Sequence, residues 1–354
     1  MPNVFESTRD GQSVFRNEDA LKPEFLPPSL PGRETQVNEL VECFKPLASG
    51  RIARNAFIHG PPGLGKTATA RWVLRELSDY TEKIVCIYVN CWQHSTRQAV
   101  LAQASAGVGE IMPRRGLATD EVFDRMMSVI HSSKKTPVVV LDELDRLFYE
   151  KQENVVYDFL RAEPCFTLVL ISNNPNVLSK LDDRTRSSLQ AKTIEFPRYT
   201  PQELKLILSE RSKLAFVEHT CPQEVIALCA AFGAKNNGDA RVSIHALWQS
   251  GKRAEKRGAE EISLEDARNA LREQEKATAS QSKRLINLSA GEEKILAALE
   301  DGKKTSGELY DALASDLSER AIRDYLNLLE KKKLAESKEI NQASGRTREW
   351  KKIV

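Results

Sequence analysis

The chain has 354 residues, which exceeds the size at which a single hydrophobic core usually stops growing, so two or three domains are expected. Apolar residues make up 41% of the chain and charged residues 29%, a balance that excludes a disordered or fibrous protein. The 52 basic and 50 acidic residues leave a net charge of only +2, so total charge indicates no particular class of partner.

Strands and helices alternate over residues 1–198. Short apolar runs rich in β-branched residues occur at 56–59, 84–90, 138–141, 167–172 and 193–196. Helical patterns separate most of these runs, and strands that alternate with helices are typical of a parallel sheet wound with crossover helices. The sequence therefore predicts an α/β domain over 1–198.

A glycine-rich segment follows the first of these strands and opens a helix. It reads Gly60-Pro61-Pro62-Gly63-Leu64-Gly65-Lys66-Thr67 and continues into Ala68. Glycines allow successive backbone N–H groups to surround a phosphate, Lys66 adds positive charge for the terminal phosphates, and Thr67 offers a hydroxyl to Mg²⁺. We therefore expect Pro61 through Ala68 to bind a nucleotide. The alternative is a glycine-rich turn that matches by accident.

Polar residues follow the third and fourth strands. Asp142 and Glu143 come directly after the third apolar run, and Asn173 follows the fourth. Ligands of open α/β sheets bind where the carboxyl ends of the strands meet. We expect Asp142 to share Mg²⁺ with Thr67, and Glu143 to orient an attacking water. Asn173 is then a candidate contact for the γ-phosphate or that water. An acidic helix cap and an Asn-Asn-Pro turn signal are the alternatives.

Helical patterns replace the strand runs after residue 198. The segment Thr200-Pro201-Gln202-Glu203 places a capping hydroxyl, a proline at the first helical position and a glutamate at the third, which predicts a helix start. We expect an all-α domain over 199–276. Residues 277–284 are small, polar and charged, which indicates a linker or a fraying helix end.

Residues 285–354 predict three helices and a β-hairpin. Capping pairs at Ser289 with Glu292 and at Thr305 with Glu308 announce two helices, and Ser318 precedes an amphipathic third. Strand-like runs at 334–340 and 347–353 flank a glycine-containing connection, as in a hairpin. These are the components of a winged helix.

A winged helix places its third helix, expected here over 318–334, in the major groove of duplex DNA and its hairpin against the backbone or the minor groove. From residue 331 to the end there are eight basic and three acidic residues, which gives a net charge of +5. The candidate DNA contacts are Arg320, Arg323, Lys331, Arg346 and Arg348. A protein-binding winged helix with a solvated basic face is the alternative.

Together these motifs resemble AAA+ ATPases, and specifically the archaeal family of origin-recognition-complex and cell-division-cycle initiators. The phosphate-binding loop is shared by many ATPases, whereas Asp-Glu-Leu-Asp at 142–145, the segment 181–189 and Gly-Asp-Ala-Arg at 238–241 resemble this family closely. The resemblance covers nearly the whole chain. It implies a parallel-sheet AAA+ core, an all-α lid and a C-terminal winged helix, with ATP or ADP and Mg²⁺ as ligands and slow, switch-like hydrolysis.

The resemblance also implies roles for three arginines. Arg241 corresponds to a lid arginine that reports the nucleotide state. Arg184 or Arg186 corresponds to a finger that reaches the ATP of a neighbouring subunit, where positive charge stabilises the transferring phosphoryl group. Asp183 stands where a proline is usual in the family, so which of the two arginines acts stays open.

Two further segments take their interpretation from the same resemblance. The family packs the segment equivalent to 26–33 around adenine, which makes Leu26, Pro27 and Arg33 candidates; a plain loop is the alternative. Residues 91–137 exceed the dozen or so residues that a crossover needs. Initiators carry an additional DNA-contacting helix there, so Arg114 and Arg115 are candidate DNA contacts, and a solvated loop is the alternative.

The function that the resemblance implies is replication-origin recognition, in which the protein binds double-stranded origin DNA with other initiator subunits and helps to load the replicative helicase. One rival is the AAA+ branch-migration motor of Holliday junctions, whose acidic strand usually continues into Ile-His. Another is a signalling ATPase whose winged helix does not bind DNA. No apolar run approaches the roughly 20 residues that span a bilayer. We therefore expect a cytoplasmic, nucleoid-associated protein.

Overall fold

The computed structural model describes residues 13–111, 116–285, 289–299, 304–314, 316–332, 334–342 and 345–352. The chain divides into two units, Met1–Arg272 and Glu273–Val354. No helix in these described ranges is long and apolar enough to cross a bilayer.

A five-stranded parallel sheet forms the centre of the first unit. Its order is β2-β3-β4-β1-β5, and every neighbouring pair of strands is parallel. This confirms the predicted sheet, with shifts of only one or two residues at the ends of β3 and β5. The strands are β1 (Ala56–His59), β2 (Ile84–Asn90), β3 (Thr136–Asp142), β4 (Thr167–Ser172) and β5 (Lys192–Glu195).

Helices cover both faces of this sheet, which is why β3 and β4 are almost uninterrupted apolar runs. Val138 and Val140 face one core together with α1 and α2, while Val139 and Leu141 face the opposite core together with α3, α4 and α6. The long segment 91–137 thus holds two helices, α3 and α4. The helices up to β5 are α1 (Glu34–Phe44), α2 (Lys66–Tyr80), α3 (Arg97–Gly107), α4 (Thr119–Ser133), α5 (Asp145–Tyr149), α6 (Asn154–Arg161) and α7 (Asp183–Leu189).

Four helices follow the sheet: α8 (Pro201–Ala215), α9 (Gln223–Lys235), α10 (Ala240–Lys256) and α11 (Leu264–Leu285). The first three and the part of α11 up to Arg272 form the lid. The predicted capping box starts α8, because Thr200 and Glu203 each accept the other's backbone N–H. Residues 277–284 belong to the end of α11, so of the two alternatives given for them the structure has a helix end. Neither glycine nor proline interrupts these residues, so nothing in them stops the helix.

Residues 13–25, the N-terminal segment, pack on the lid rather than on the sheet. The backbone N–H groups of Arg16 and Asn17 donate to the Ala215 carbonyl at 2.8 and 2.9 Å, and the Phe15 ring lies 5.0 Å from that of Phe216. A domain boundary drawn at residue 198 therefore does not describe this segment. The contacts join residues about 200 positions apart, which is why local sequence patterns do not indicate them.

The second unit has the element order of a winged helix. Its helices are α12 (Ala290–Ala298), α13 (Ser306–Leu313) and α14 (Glu319–Lys331), and its antiparallel sheet has the order β6-β8-β7. All three predicted helix caps are present. The hairpin strands are longer than predicted, because pairing continues to Gln342 and Gly345. The strands are β6 (Lys304–Thr305), β7 (Ala335–Gln342) and β8 (Gly345–Lys352).

Arg211 of α8 provides a test of how firmly the N-terminal segment is held. Its guanidinium is buried and donates to the carbonyls of Ala20 at 2.6 Å and Phe25 at 3.0 Å. Arg211→Met should lower the free energy of unfolding by about 2–4 kcal/mol, because each buried group left without a partner costs about 1–3 kcal/mol. Urea denaturation measures this loss. The control Lys213→Met, whose side chain is 71% exposed on the same helix, should change stability by less than about 0.5 kcal/mol. Equal effects of the two substitutions would contradict the bridging role of Arg211.

Candidate nucleotide-binding site

The loop between β1 and α2, residues 60–67, is called the phosphate loop below. Gly63 and Gly65 have φ of +77° and +83°, the left-handed region that favours glycine. A Cβ on Gly63 would lie 1.8 Å from a carboxylate oxygen of Asp239, and one on Gly65 would lie 2.8 Å from the Tyr199 hydroxyl. Glycine is therefore required at both positions, because of the backbone conformation and because side chains on the lid side of the cavity approach the loop closely.

Lys66 is a buried cation at the start of α2, with 7% of its surface exposed. Its ammonium donates to the carbonyls of Gly60 and Pro61, both at 2.8 Å, and to Asn173 Oδ1 at 2.7 Å. Burial lowers the pKa of Lys66, and the nearby carboxylates of Glu143 and Asp142 oppose that shift. Three acceptors thus fix the ammonium beside Asn173, the residue that follows β4. Its charge lies where the phosphate groups of a nucleotide are expected.

Asp142 lies at the end of β3 and is 2% exposed. Its Oδ2 accepts from the hydroxyls of Thr67 and Tyr88, each at 2.7 Å. The structure therefore brings together the two residues predicted to share Mg²⁺. Tyr88 was not predicted. Its hydroxyl is a polar group within the apolar run of β2, beside the strand that carries Asp142, and this is the signal that could have indicated it.

Glu143 follows at φ +55°, so its side chain leaves the strand direction and points toward β4. Asn173 Nδ2 donates to Glu143 Oε2 at 3.0 Å. Burial, followed by the charge of Asp142, raises the pKa of Glu143. Asp145 accepts from the Ser172 hydroxyl at 2.9 Å and from the Asn173 backbone at 3.1 Å. Asp145 therefore holds the turn that carries Asn173, a role that the sequence did not indicate.

A cavity of about 430 Å³ opens above these residues. The phosphate loop from Pro62 to Thr67 and Ala68 line it, together with Glu143 and Asn173. The lid contributes Arg241, whose largely exposed guanidinium also pairs with Asp239 at 3.1 Å. Much of the remaining lining consists of apolar side chains and prolines, which is the character expected of a base-binding pocket. Those residues are Leu21, Pro23, Pro27, Pro28, Leu30, Pro31, Ile207, Leu214, Ile244 and Trp248.

Three residues predicted to bind the nucleotide, Leu26, Arg33 and Pro61, do not line this cavity. Pro61 instead offers its carbonyl to Lys66. Arg33 is 1% exposed and donates to the carbonyls of Leu64 at 2.9 Å and Pro197 at 2.8 Å. Its guanidinium carbon lies 3.5 Å from the centre of the Tyr199 ring. Arg33 therefore connects the phosphate loop to the start of the lid.

The candidate finger arginines lie on α7 and outside the cavity lining. Arg186 pairs with Asp183 and donates to the Ser179 carbonyl at 3.4 Å. The Arg184 side chain is exposed and has no ion-pair partner within the described ranges. Both guanidinium groups are exposed, and they differ in that Arg186 takes part in a surface ion pair.

The candidate DNA contacts of the second unit are all exposed where their side chains are described. Arg320, Arg323 and Lys331 lie on α14, and Arg348 lies on β8. Arg323 also donates to the Tyr310 hydroxyl at 3.5 Å. The side chain of Arg346, and residues Arg114 and Arg115, lie outside the described part of the chain.

Comparisons with known proteins identify similar chains along nearly the whole length. Residues 29–164 match the model of the AAA ATPase domain, and residues 205–272 match that of the Cdc6 AAA+ ATPase-type lid domain. ORC1-type DNA replication protein 1 of Sulfolobus acidocaldarius is 31% identical, with 98% of this chain and 92% of the relative covered. The corresponding protein of Archaeoglobus fulgidus is 32% identical, with 99% and 90% covered.

Solved structures give the same pattern. The Aeropyrum pernix ORC1 protein in complex with DNA is 29% identical and has a TM-score of 0.70, with 96% of this chain and 94% of that chain covered. The Thermotoga maritima RuvB Holliday junction branch migration motor is 18% identical and has a TM-score of 0.50, with 92% and 95% covered. The likeness is therefore closer to the DNA-bound ORC1 protein, and the likeness to the branch-migration motor concerns the fold alone.

Substitution of Arg33 separates its two possible roles. If Arg33 holds the phosphate loop, Arg33→Met should weaken binding of ATP and of inorganic triphosphate by the same factor, about tenfold, or about 1.4 kcal/mol. Titration calorimetry with both ligands measures this, and Arg51→Met, at an exposed position of the same unit, is the control. A loss confined to ATP would instead assign Arg33 to adenine.

Proposed function

Because the chain belongs to the family of ORC1-type DNA replication proteins, we propose that it binds duplex DNA at replication origins and that bound nucleotide switches this binding. Its AAA ATPase domain and Cdc6-type lid make it an ATPase. The observation that carries the proposal is the full-length likeness to ORC1-type proteins, joined to a cavity in which the phosphate loop, Glu143, Asn173 and Arg241 meet.

The residues present fit a magnesium nucleotide. The Asp142 carboxylate and the Thr67 hydroxyl lie 2.7 Å apart and are oxygen donors, which Mg²⁺ prefers. Thr67 and Asp142 would hold the ion, which supplies positive charge to the β- and γ-phosphates when bound. Lys66 would donate to the terminal phosphates, and Arg241 would reach the same end of the nucleotide from the lid.

The way Glu143 is held supports slow hydrolysis. Its Oε2 accepts from Asn173 Nδ2, so the carboxylate that would orient water is already engaged. The same Asn173 accepts from Lys66 through its Oδ1. A γ-phosphate that attracts Lys66 would remove the Lys66 contact of Asn173, whereas Glu143 would still have to exchange its Asn173 contact for the attacking water in each turnover. This exchange supports a switch rather than a fast motor.

Other subunits and DNA would use surfaces outside the cavity. The exposed guanidinium of Arg184 supports a role toward the nucleotide of a neighbouring initiator subunit, where positive charge stabilises phosphoryl transfer. Exposed cations on α14 and β8 support binding of duplex DNA by the second unit. Membership of the family suggests the replicative helicase as a further partner and the nucleoid as the place of action.

Footprinting on linear duplex DNA from the organism's own origins tests the proposal. Wild-type protein should protect discrete duplex sites, with boundaries that differ between ATP and ADP. Glu143→Gln should bind ATP, lose turnover and retain the ATP pattern, whereas Lys66→Ala should give one pattern with either nucleotide. Preference for four-way junctions over linear duplex would favour the branch-migration motor, and absence of protection would favour the signalling ATPase.

Arg348 tests the DNA surface of the second unit. Arg348→Ala should flatten the slope of log affinity against log salt by about one unit, since each lost phosphate contact removes about that much counterion release. Fluorescence anisotropy across a salt series measures the slope. Lys294→Ala removes an equal charge from α12, where Lys294 pairs with Asp316, and should leave the slope unchanged. A slope unchanged in both variants would remove Arg348 from the interface.

A further inference from the structure

The Asp142 carboxylate is fixed by three hydrogen bonds, two of which come from other elements of the fold. Its Oδ2 accepts from Thr67 of α2 and from Tyr88 of β2, both at 2.7 Å. Its Oδ1 accepts from the backbone N–H of Glu143 at 2.9 Å. The terminal torsion of an aspartate side chain is otherwise broad. The plane of this carboxylate is therefore set by its donors, and two of the three converge on one oxygen.

The register of the sheet places Tyr88 where it reaches this oxygen. β2 and β3 are parallel, with Tyr88 beside Val140 and Asn90 beside Asp142. Tyr88 and Val140 belong to the same side of the sheet, and Asp142, two residues further along β3, points to that side as well. The tyrosine side chain is long enough to extend along the strands past the next pair of opposed residues, so its hydroxyl reaches the Asp142 carboxylate.

The tyrosine ring is itself positioned by the helix that begins at the phosphate loop. The guanidinium carbon of Arg71 lies 5.6 Å from the centre of the Tyr88 ring. Arg71 follows Thr67 by four positions, so both residues lie on the same side of α2. Tyr88 therefore contacts the helix that carries one magnesium candidate and the strand that carries the other.

We propose that Tyr88 is a positioning residue of the magnesium-nucleotide site, which holds the Asp142 carboxylate in the orientation that the ion requires. This inference rests on the proposed ATPase function and adds to it a residue that acts only through Asp142. If Thr67 offered its oxygen to the ion, the phenol O–H would still donate to Asp142 and would keep the plane of the carboxylate fixed. Tyr88 does not line the cavity, and its effect should consequently depend on metal.

The test is Tyr88→Phe, which removes one oxygen atom and leaves the ring packing in place. Binding of a fluorescent ADP derivative is titrated with Mg²⁺, and again in the presence of a chelator. The Mg²⁺ concentration at the midpoint should rise about tenfold, because the lost bond is to a charged group, and such bonds are among the stronger ones. Affinity without metal should stay within about twofold of wild type, since Asp142 contributes through the ion.

Two controls separate this role from a general structural one. Tyr80→Phe removes the same atom from a tyrosine that is 76% exposed at the end of α2 and should change neither titration. In an Asp142→Asn background, Tyr88→Phe should shift the magnesium midpoint by less than about twofold, because a shared partner makes the two effects non-additive. A full tenfold shift in that background would overturn the inference.

The outcomes also distinguish this inference from the proposed function. If wild-type binding shows no dependence on Mg²⁺, the metal site itself is wrong and with it the proposed chemistry. If wild type depends on Mg²⁺ and Tyr88→Phe has the wild-type midpoint, only the role of Tyr88 is wrong. Loss of affinity in Tyr88→Phe that is equal with and without metal would show a structural role and would likewise overturn the inference.

Discussion

The buried ammonium of Lys66 is the constraint on which the rest of the site depends. A buried charge is unfavourable unless acceptors surround it, and here two backbone carbonyls of the phosphate loop and the Asn173 side chain provide them. The loop must therefore curl back on itself, which requires glycines at its tight positions. The turn after β4 must also lie against the loop. The position of one charge thus specifies both the loop conformation and a contact between distant parts of the chain.

The order of the strands makes this contact possible. β4 lies between β1 and β3, so the residues that follow all three strands meet at one edge of the sheet. The phosphate loop, Glu143 and Asn173 are accordingly neighbours, although more than 100 residues separate Lys66 from Asn173 along the chain. Asp145 and Tyr88 then fix the flanking groups, the first by holding the Asn173 turn and the second by holding Asp142.

The elements that the sequence predicted well are those with local signals. The strands follow from apolar runs, and the helix starts at Thr200, Ser289, Thr305 and Ser318 follow from side chains that cap their own helix within three residues. The residues that were not predicted, or were predicted for another role, contact residues that are distant along the chain. Arg33 was associated with adenine because the family that the chain resembles packs this segment around the base, but besides its neighbour Gly32 its acceptors are carbonyls of residues 64 and 197. Nothing within ten residues of Arg33 indicates those partners.

The N-terminal segment has a mechanical consequence for the lid. Since residues 13–25 pack on the lid and α1 packs on the sheet, the chain passes between the two parts once near residue 30 and again near residue 198. Arg33 connects the two crossings, because it lies in the first and donates to the Pro197 carbonyl in the second. A domain joined by two neighbouring chain connections rotates most easily about the axis that runs through both of them. The lid is therefore expected to rotate about this axis, and the cavity proposed to bind nucleotide is lined by residues on both sides of it.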